Sequence, residues 1–218
     1  MPAIKAEYGP TLIQLLAPRS LVVRLAAAAL AALIVIGGLV IVLTRAEENV
    51  VVVREPVTFN FAYGRQFEPV ERAGTLVALR NTGAGGLFLD AYTIRPLDLP
   101  AYRGRVGGML PVYADGYLRT LPDRYDDYTF IGEGRARINN AIGYAVTFQA
   151  LVGERRLYAR HYLLVEEEPD GVRRGVVLEL ESTPAAGTPN ADSIGNHGAL
   201  KMPLRSFRFG TDRKGGTA

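Results

Sequence analysis

The hydrophobic positions divide the chain into two parts. Residues 25–43 form an unbroken apolar run of 19 residues, and at about 1.5 Å per helical residue this run matches the roughly 30 Å apolar layer of a membrane. Basic residues dominate before the run, whereas Glu47 and Glu48 follow it, so the N-terminus is expected in the cytoplasm. We therefore predict a cytoplasmic segment at 1–20, one transmembrane helix at 21–45 in the plasma membrane, and a main domain outside the cytoplasm.

A cleavable signal peptide is the competing interpretation, because residues 44–46 resemble a small-x-small cleavage site. The apolar region of a signal peptide is normally only about 7–15 residues long, so the longer run favours a retained anchor. Ala27, Ala31, Gly37 and Gly38 would let two such helices approach closely. A homodimer through the membrane helix therefore stays open as an alternative.

Alternation of apolar and polar residues begins after a short charged connector at 46–56. The segment VTFNFAY at 57–63 predicts a strand with its aromatic residues on one face. Two further strands are predicted at 75–80 and 87–97, and the glycine-rich segment 83–86 predicts the turn between them. That glycine segment lacks the Lys-Ser/Thr pair of a phosphate-binding loop, which favours a simple turn.

One helix is predicted at 110–121, with one apolar side that packs against the sheet. The residues of that side follow helical spacing and are Leu110, Ala114, Tyr117, Leu118 and Leu121. Pro111 is tolerated in a first helical turn, and Pro122 would end the helix. The segment 184–198 is rich in Pro, Ala, Gly and Asn and predicts a long loop, and residues 211–218 form a polar tail. Together the patterns predict an α+β domain: an antiparallel sheet of about six to seven strands packed with one or two helices, preceded by one N-terminal transmembrane helix.

The most regular alternation predicts a hairpin with a two-residue turn at Gly153-Glu154. Such a turn fixes which residues of the two strands lie opposite each other. The expected pairs are Ile142 with Val165, Tyr144 with Leu163, Val146 with His161, Phe148 with Ala159, and Ala150 with Leu157.

A second hairpin is predicted at Asp170-Gly171. A two-residue turn there would pair Glu168 with Arg173, Glu167 with Arg174, Leu163 with Leu178, and His161 with Leu180. Pro169 lacks the N–H that such a turn uses, so a three-residue loop with a bulge at Gly171 competes and would move the register.

The second register determines a candidate binding surface. It places several polar and aromatic side chains on the outer face of the sheet, and this face is expected to be exposed to solvent or covered by a partner. The loop residue His197 is added because it could approach a ligand at the sheet edge. The candidate surface consists of Tyr158, Arg160, Tyr162, Glu179, Glu181 and His197.

Composition excludes several kinds of site. The chain has no cysteine and only two histidines, which argues against a disulfide framework, a thiolate redox pair and a transition-metal centre, and we expect no metal or other cofactor. The net charge of +3 comes from the N-terminal segment, because 21 basic and 21 acidic side chains follow Arg45. A neutral domain lacks the positive field that nucleic-acid binding requires.

The order of elements resembles the PsbP-like α/β/α sandwich family over roughly residues 57–209. The likeness rests on an opening aromatic strand, a helix in mid-domain, the meander GYAVTFQA, RRLYARHYLLV and GVVLELEST, and a terminal PLRSFRF. This resemblance implies a non-catalytic domain that binds or steadies other proteins at a membrane surface. It carries over no site residue.

No residue constellation indicates a catalytic site. Ser193 and Ser206 lie in no nucleophile elbow, and His161 is expected as a buried, hydrogen-bonded, neutral imidazole within a strand. We therefore expect a membrane-anchored extracytoplasmic binding or scaffold domain with a protein partner in the cell envelope. The alternative is a lipid or small-molecule carrier with an apolar cavity between sheet and helix, and a hydrolase ranks below both.

Overall fold

The structure is a computed structural model that describes residues 29–30, 48–97, 99, 104–139, 141–167 and 173–211. The predicted cytoplasmic segment, nearly all of the predicted membrane span, the turn of the second hairpin and the tail beyond Thr211 lie outside these residues. The chain divides into two units, 1–46 and 47–218. In the first unit, Ala29 and Leu30 are helical. Among the described residues, no helix combines the length and the apolarity needed to cross a membrane.

The described residues of the second unit form two antiparallel sheets and two α-helices. The strands are β1 (Glu48–Val53), β2 (Phe59–Gly64), β3 (Glu68–Pro69), β4 (Val77–Thr82), β5 (Phe88–Pro96), β6 (Asp126–Ile138), β7 (Ala141–Val152), β8 (Arg155–Glu167), β9 (Arg173–Ser182) and β10 (Arg208–Phe209). The helices are α1 (Val106–Leu118) and α2 (Lys201–Ser206). The larger sheet has the order β3-β4-β5-β9-β8-β7-β6, and the smaller has the order β1-β2-β10. The predicted α+β class is confirmed.

Apolar side chains cover both faces of the larger sheet. One face packs against the smaller sheet and α2 through a core that includes Phe59, Phe61 and Phe207. The other face packs against α1, which lies over β7 and β8 and contributes Ala114 to the core there. A strand with both faces covered buries nearly every side chain, as β9 does from Gly175 to Ser182.

The first hairpin has the predicted register. Val146 lies opposite His161, and all five expected pairs are present. Gly153 has a φ of 61°, which glycine adopts without the steric cost that a side chain would add. The two-residue turn therefore fixed the register as expected.

The second hairpin is displaced by one residue from the predicted register. Glu167 lies opposite Arg173, and His161 lies opposite Glu179 where Leu180 was expected. Five residues, 168–172, separate the two strands, so the connection is longer than the two-residue turn of the prediction. Because a shift of one residue reverses the faces of a strand, this difference moves Glu179 to the same side as His161.

Other elements differ from the prediction in length or position. The predicted connector at 46–56 contains β1, which pairs with β2 along its whole length. Strand β6 was not predicted at all. Helix α1 starts at Val106, before the predicted start at 110. The apolar pattern did not indicate this first turn, because Gly107 and Gly108 add no apolar side chain to it. The predicted loop is confirmed as the connection between β9 and α2, with two short 3-10 turns within it.

Candidate functional site

The six residues of the predicted binding surface do not lie on one face. Tyr158 and Tyr162 are only 9% and 4% exposed, because they belong to the core beneath the smaller sheet. Arg160 is half-buried on the same face, donates a hydrogen bond to the Asp192 carbonyl at 3.3 Å, and lies over the ring of Tyr162. The prediction of a wet outer face is therefore wrong here, because the loop after β9 and the smaller sheet cover it.

The other predicted residues lie elsewhere. Glu179 and Glu181 are buried on the α1 side of the sheet, since the register shift reverses the face of β9. His197 is exposed in the loop before α2. The structure thus brings Glu179 and Glu181 together and separates them from the remaining four residues.

His161 lies at the centre of a polar network on the α1 side of the sheet. Its Nδ1 atom is 2.7 Å from the hydroxyl of Tyr117, and its Nε2 atom is 3.4 Å from the hydroxyl of Tyr125. The ring of Phe148 meets the imidazole edge to face at 4.9 Å. The side chain of His161 has no exposed surface. The expectation of a buried, hydrogen-bonded imidazole is confirmed.

Glu179 connects this network to two arginines. Its Oε1 atom accepts a hydrogen bond from Arg124, accepts another from the Tyr117 hydroxyl at 3.3 Å, and lies 3.9 Å from the guanidinium of Arg95. Its Oε2 atom is buried and has no hydrogen-bond partner in the described part of the chain. A buried carboxylate oxygen without a partner is uncommon and costs stability.

Burial and charge together set the ionisation of the network. Burial lowers the pKa of His161 to about 4, against the opposing attraction of Glu179, so the imidazole is neutral at pH 7. Burial acts to raise the pKa of Glu179, but the guanidinium groups of Arg124 and Arg95 stabilise its carboxylate and hold the pKa below the ordinary value. Burial and the neighbouring carboxylates raise the pKa values of Tyr117 and Tyr125, which therefore keep their hydroxyl protons.

An open cleft of about 520 Å³ adjoins the network at Arg124, Tyr125 and Glu181. Glu181 accepts a hydrogen bond from Tyr125 at 2.5 Å and lines this cleft, and burial raises the pKa of its carboxyl group. Both signs of charge and several apolar side chains line the cleft. They include Glu71, Arg72, Arg80, Phe88, Arg124, Asp126 and Leu157. The cleft therefore offers hydrogen bonds, charges and apolar contact to a bound group.

Sequence patterns had placed only part of this site. Tyr117 was expected on the buried side of the helix, whereas Arg124 and Tyr125 follow the helix in a segment with no periodic signal. Arg124 lies between the rings of Tyr117 and Tyr125, at 5.9 and 5.5 Å from their centroids. Within the described ranges, no group of three or more His, Cys, Asp and Glu side chains is arranged to hold a metal ion.

Comparisons with known proteins bear on the fold. No protein-family model and no curated protein matches the sequence. Cyanobacterial PsbP (CyanoP) of Synechocystis sp. PCC 6803 is similar in structure, with 12% identity over 75% of this chain and 93% of that chain and a TM-score of 0.53. LpqN of Mycobacterium tuberculosis, a protein involved in cell envelope biogenesis, has 11% identity over 75% of this chain and 91% of that chain and a TM-score of 0.48. The likeness to CyanoP extends to the fold alone, and on that basis the domain has a PsbP-like fold.

Proposed function

We propose that this chain is a membrane-anchored binding domain outside the cytoplasm, and that a partner protein docks in the cleft above Glu181. One observation carries the proposal. At one of its ends, the buried network of ionisable groups opens into a cleft, and protein covers that end only partly. In that cleft, Arg124 and Glu181 belong both to the network and to the accessible lining.

The cost of the network supports a function for it. Burial of Glu179 and half-burial of Arg124 remove charges from water, and such a pair contributes little net stability compared with apolar packing. Perturbed ionisable groups beside a cleft are therefore candidates for a binding or catalytic site. A docked partner that donates to the carboxyl group of Glu181 would gain a hydrogen bond in a partly desolvated setting.

The geometry favours binding over catalysis. His161 is enclosed on all sides and neutral, so its imidazole does not reach a molecule in the cleft. The hydroxyls of Tyr117 and Tyr125 are already engaged with His161 and the carboxylates. A general base must lie within hydrogen-bond reach of the proton that it removes, and the imidazole of His161 does not reach the cleft.

The packing beneath α1 favours a scaffold over an apolar carrier. Leu110 and Ala114 of the helix are buried against the sheet, where Phe148 and Leu163 also have no exposed surface. Side chains thus fill the space between Ala114 and the sheet, whereas the apolar groove of about 470 Å³ along α1, lined in part by Met109, is open to solvent and is not the enclosed cavity of a carrier. The mixed charges of the open cleft are instead typical of the polar surfaces that proteins present to one another.

Site-specific photocrosslinking tests the docking site. A photoreactive amino acid would replace Val70 or Arg72, which line the cleft, in the full chain in membranes of the native host. The control position is Lys201, which is exposed at the start of α2 and does not line the cleft. We expect both cleft positions to form an adduct with the same protein and Lys201 to form none. Equal adducts from all three positions, or none from the cleft, would contradict the proposal.

Protease accessibility tests the location. Protease added to intact spheroplasts should digest the domain after Ala46 and spare a short N-terminal tag. The proposal rests on the apolar run at 25–43 and its charge asymmetry. Protection of the domain, or recovery from the medium of a protein lacking residues 1–46, would refute the anchored topology.

A further inference from the structure

The outer edge of β6 is an unused pairing surface. This 13-residue strand ends the larger sheet and pairs with β7 on one side, and no strand of the described residues pairs with its other side. Free N–H and C=O groups along such an edge are a template for another strand. Register shifts interrupt the first half of the strand, before Gly132, whereas residues 132–138 are regular. The regular part of the edge is therefore the part suited to further pairing.

Charged side chains in this regular part have a self-complementary pattern. Glu133 and Arg135 flank Gly134, and both are exposed on the same face of the strand. Neither forms an ion pair with any residue that the structure describes. A Cβ atom added to Gly134 would meet nothing within 4 Å, so the strand is open at that point.

We propose that two copies of this chain pair through β6, antiparallel, about a two-fold axis at Gly134. In that arrangement, Glu133 lies opposite Arg135 of the partner subunit, and symmetry forms the same pair a second time. Opposite charges directly across an antiparallel pair stabilise it. The two larger sheets then join into one continuous sheet, with Gly134 on the axis.

Neighbouring registers lack this complementarity. In a continuous sheet, corresponding faces of the two copies lie on the same side. An alternative register of the β6 pair therefore moves the two-fold axis to another residue of the strand. An axis at Glu133 sets two glutamates opposite each other. An axis at Arg135 would pair Glu133 with Arg137 of the partner subunit twice, but it also sets two arginines directly opposite each other, which is unfavourable. Closed dimers use one self-complementary patch twice, and of these three axes only the one at Gly134 forms two ion pairs without opposing like charges. A second copy is therefore the occupant that the charge pattern fits. None of residues 132–138 lines the cleft above Glu181.

A single-cysteine experiment tests the pairing, since the natural chain has no cysteine. Gly134→Cys would place two thiols across the axis, where Cα atoms of opposed residues are about 4.5–5.5 Å apart and a disulfide can form. The matched control is Gly116→Cys, an exposed position where an added Cβ also meets nothing within 4 Å. Mild oxidation of the full chain in native membranes should give a covalent dimer from Gly134→Cys and monomer from Gly116→Cys. Dimers from both positions would indicate contact that is not specific to β6 and would overturn the proposal.

Charge reversal in the Gly134→Cys background tests the register. Glu133→Arg alone sets arginines opposite arginines, and Arg135→Glu alone sets glutamates opposite glutamates, so each should lower the initial rate of disulfide formation about fivefold or more. The double reversal, Glu133→Arg with Arg135→Glu, should restore it. Monomer at every position, a rate unchanged by the single reversals, or an adduct with a different protein would each contradict pairing of two copies through β6.

Discussion

His161 and Glu179 lie directly opposite each other on β8 and β9, and their side chains are 0% and 1% exposed. The imidazole is neutral, so the charge of Glu179 is balanced by Arg124 and Arg95. Each polar group of the network therefore depends on the others for its partner. Removal of one member leaves a buried group unsatisfied, and this dependence gives the network measurable properties.

Substitution of His161 should depend strongly on charge. His161→Gln keeps a neutral side chain that can bond to Tyr117, so the fold should be retained with modest destabilisation. His161→Asp places a second carboxylate opposite Glu179 without a cation of its own and should lower the free energy of unfolding by about 3–5 kcal/mol. Urea denaturation of residues 47–218 at pH 7 measures both. Equal stability of the two variants would show that the site is not the buried, neutral environment described.

The stability of the wild type should fall as the pH drops from about 6.5 towards 4. The folded pKa of His161 is about 4 and the unfolded value is about 6.5, so below pH 6.5 the unfolded chain binds a proton that the folded chain resists. The full contribution, about 3 kcal/mol, is present above pH 6.5 and is lost at the acid end. Glu181 acts in the opposite sense, because burial raises the pKa of its carboxyl group. The pH dependence of the unfolding free energy, compared between wild type and His161→Gln, isolates the contribution of the histidine. The same pH dependence in both proteins would contradict the lowered pKa of His161.

Glu179→Gln should destabilise the protein far more than loss of a surface ion pair. The substitution leaves the half-buried guanidinium of Arg124 without its carboxylate, at an expected cost of about 2–4 kcal/mol. The matched control is Asp115→Asn, which breaks the ion pair between Asp115 and Arg119. The side chain of Asp115 is 64% exposed, and that of Arg119 is 77% exposed. That control should change stability by no more than about 0.5 kcal/mol. Similar losses in both variants would mean that the Glu179 pair is not buried in solution.

Tyr117→Phe should cost about 1–3 kcal/mol through loss of a hydroxyl alone. This hydroxyl bonds to His161, donates to Glu179 and accepts from Arg124 at 3.2 Å, so its removal leaves buried groups unsatisfied. Tyr128→Phe is the control, because Tyr128 also packs on Phe148 but its hydroxyl joins no hydrogen bond among the described residues. Thermal melting of the two variants against wild type gives the comparison. A Tyr117→Phe variant as stable as Tyr128→Phe would contradict the network.

The sequence predicted those features that local chemistry determines. A two-residue turn fixes the pairing of β7 with β8, because the turn leaves no slack between the strands. The PsbP-like fold followed from the order of elements. The second hairpin was misplaced because its connection spans residues 168–172, and a longer loop does not fix a register.

The polar network was not predictable for a related reason. Glu179 and Glu181 alternate with apolar residues, a pattern that normally places charged side chains outside. Their burial depends on Arg124 and Tyr125, which lie more than 50 residues away in sequence. Strand β6 was not predicted, because a strand at the exposed edge of a sheet does not require apolar and polar residues to alternate. Contacts between residues that lie far apart in the chain produce no periodic pattern in the sequence.

The ionisation of His161 tests the central claim most directly, since the proposed binding role requires that this imidazole be a neutral structural group. Titration of residues 47–218 by NMR would give two imidazole signals, from buried His161 and exposed His197, because the chain has only these two histidines. We predict that His161 stays neutral from pH 8 down to about 5 and titrates at about 4. A His161 signal that titrates at or above about 6.5 would contradict the account and would restore a proton-transferring role for this residue.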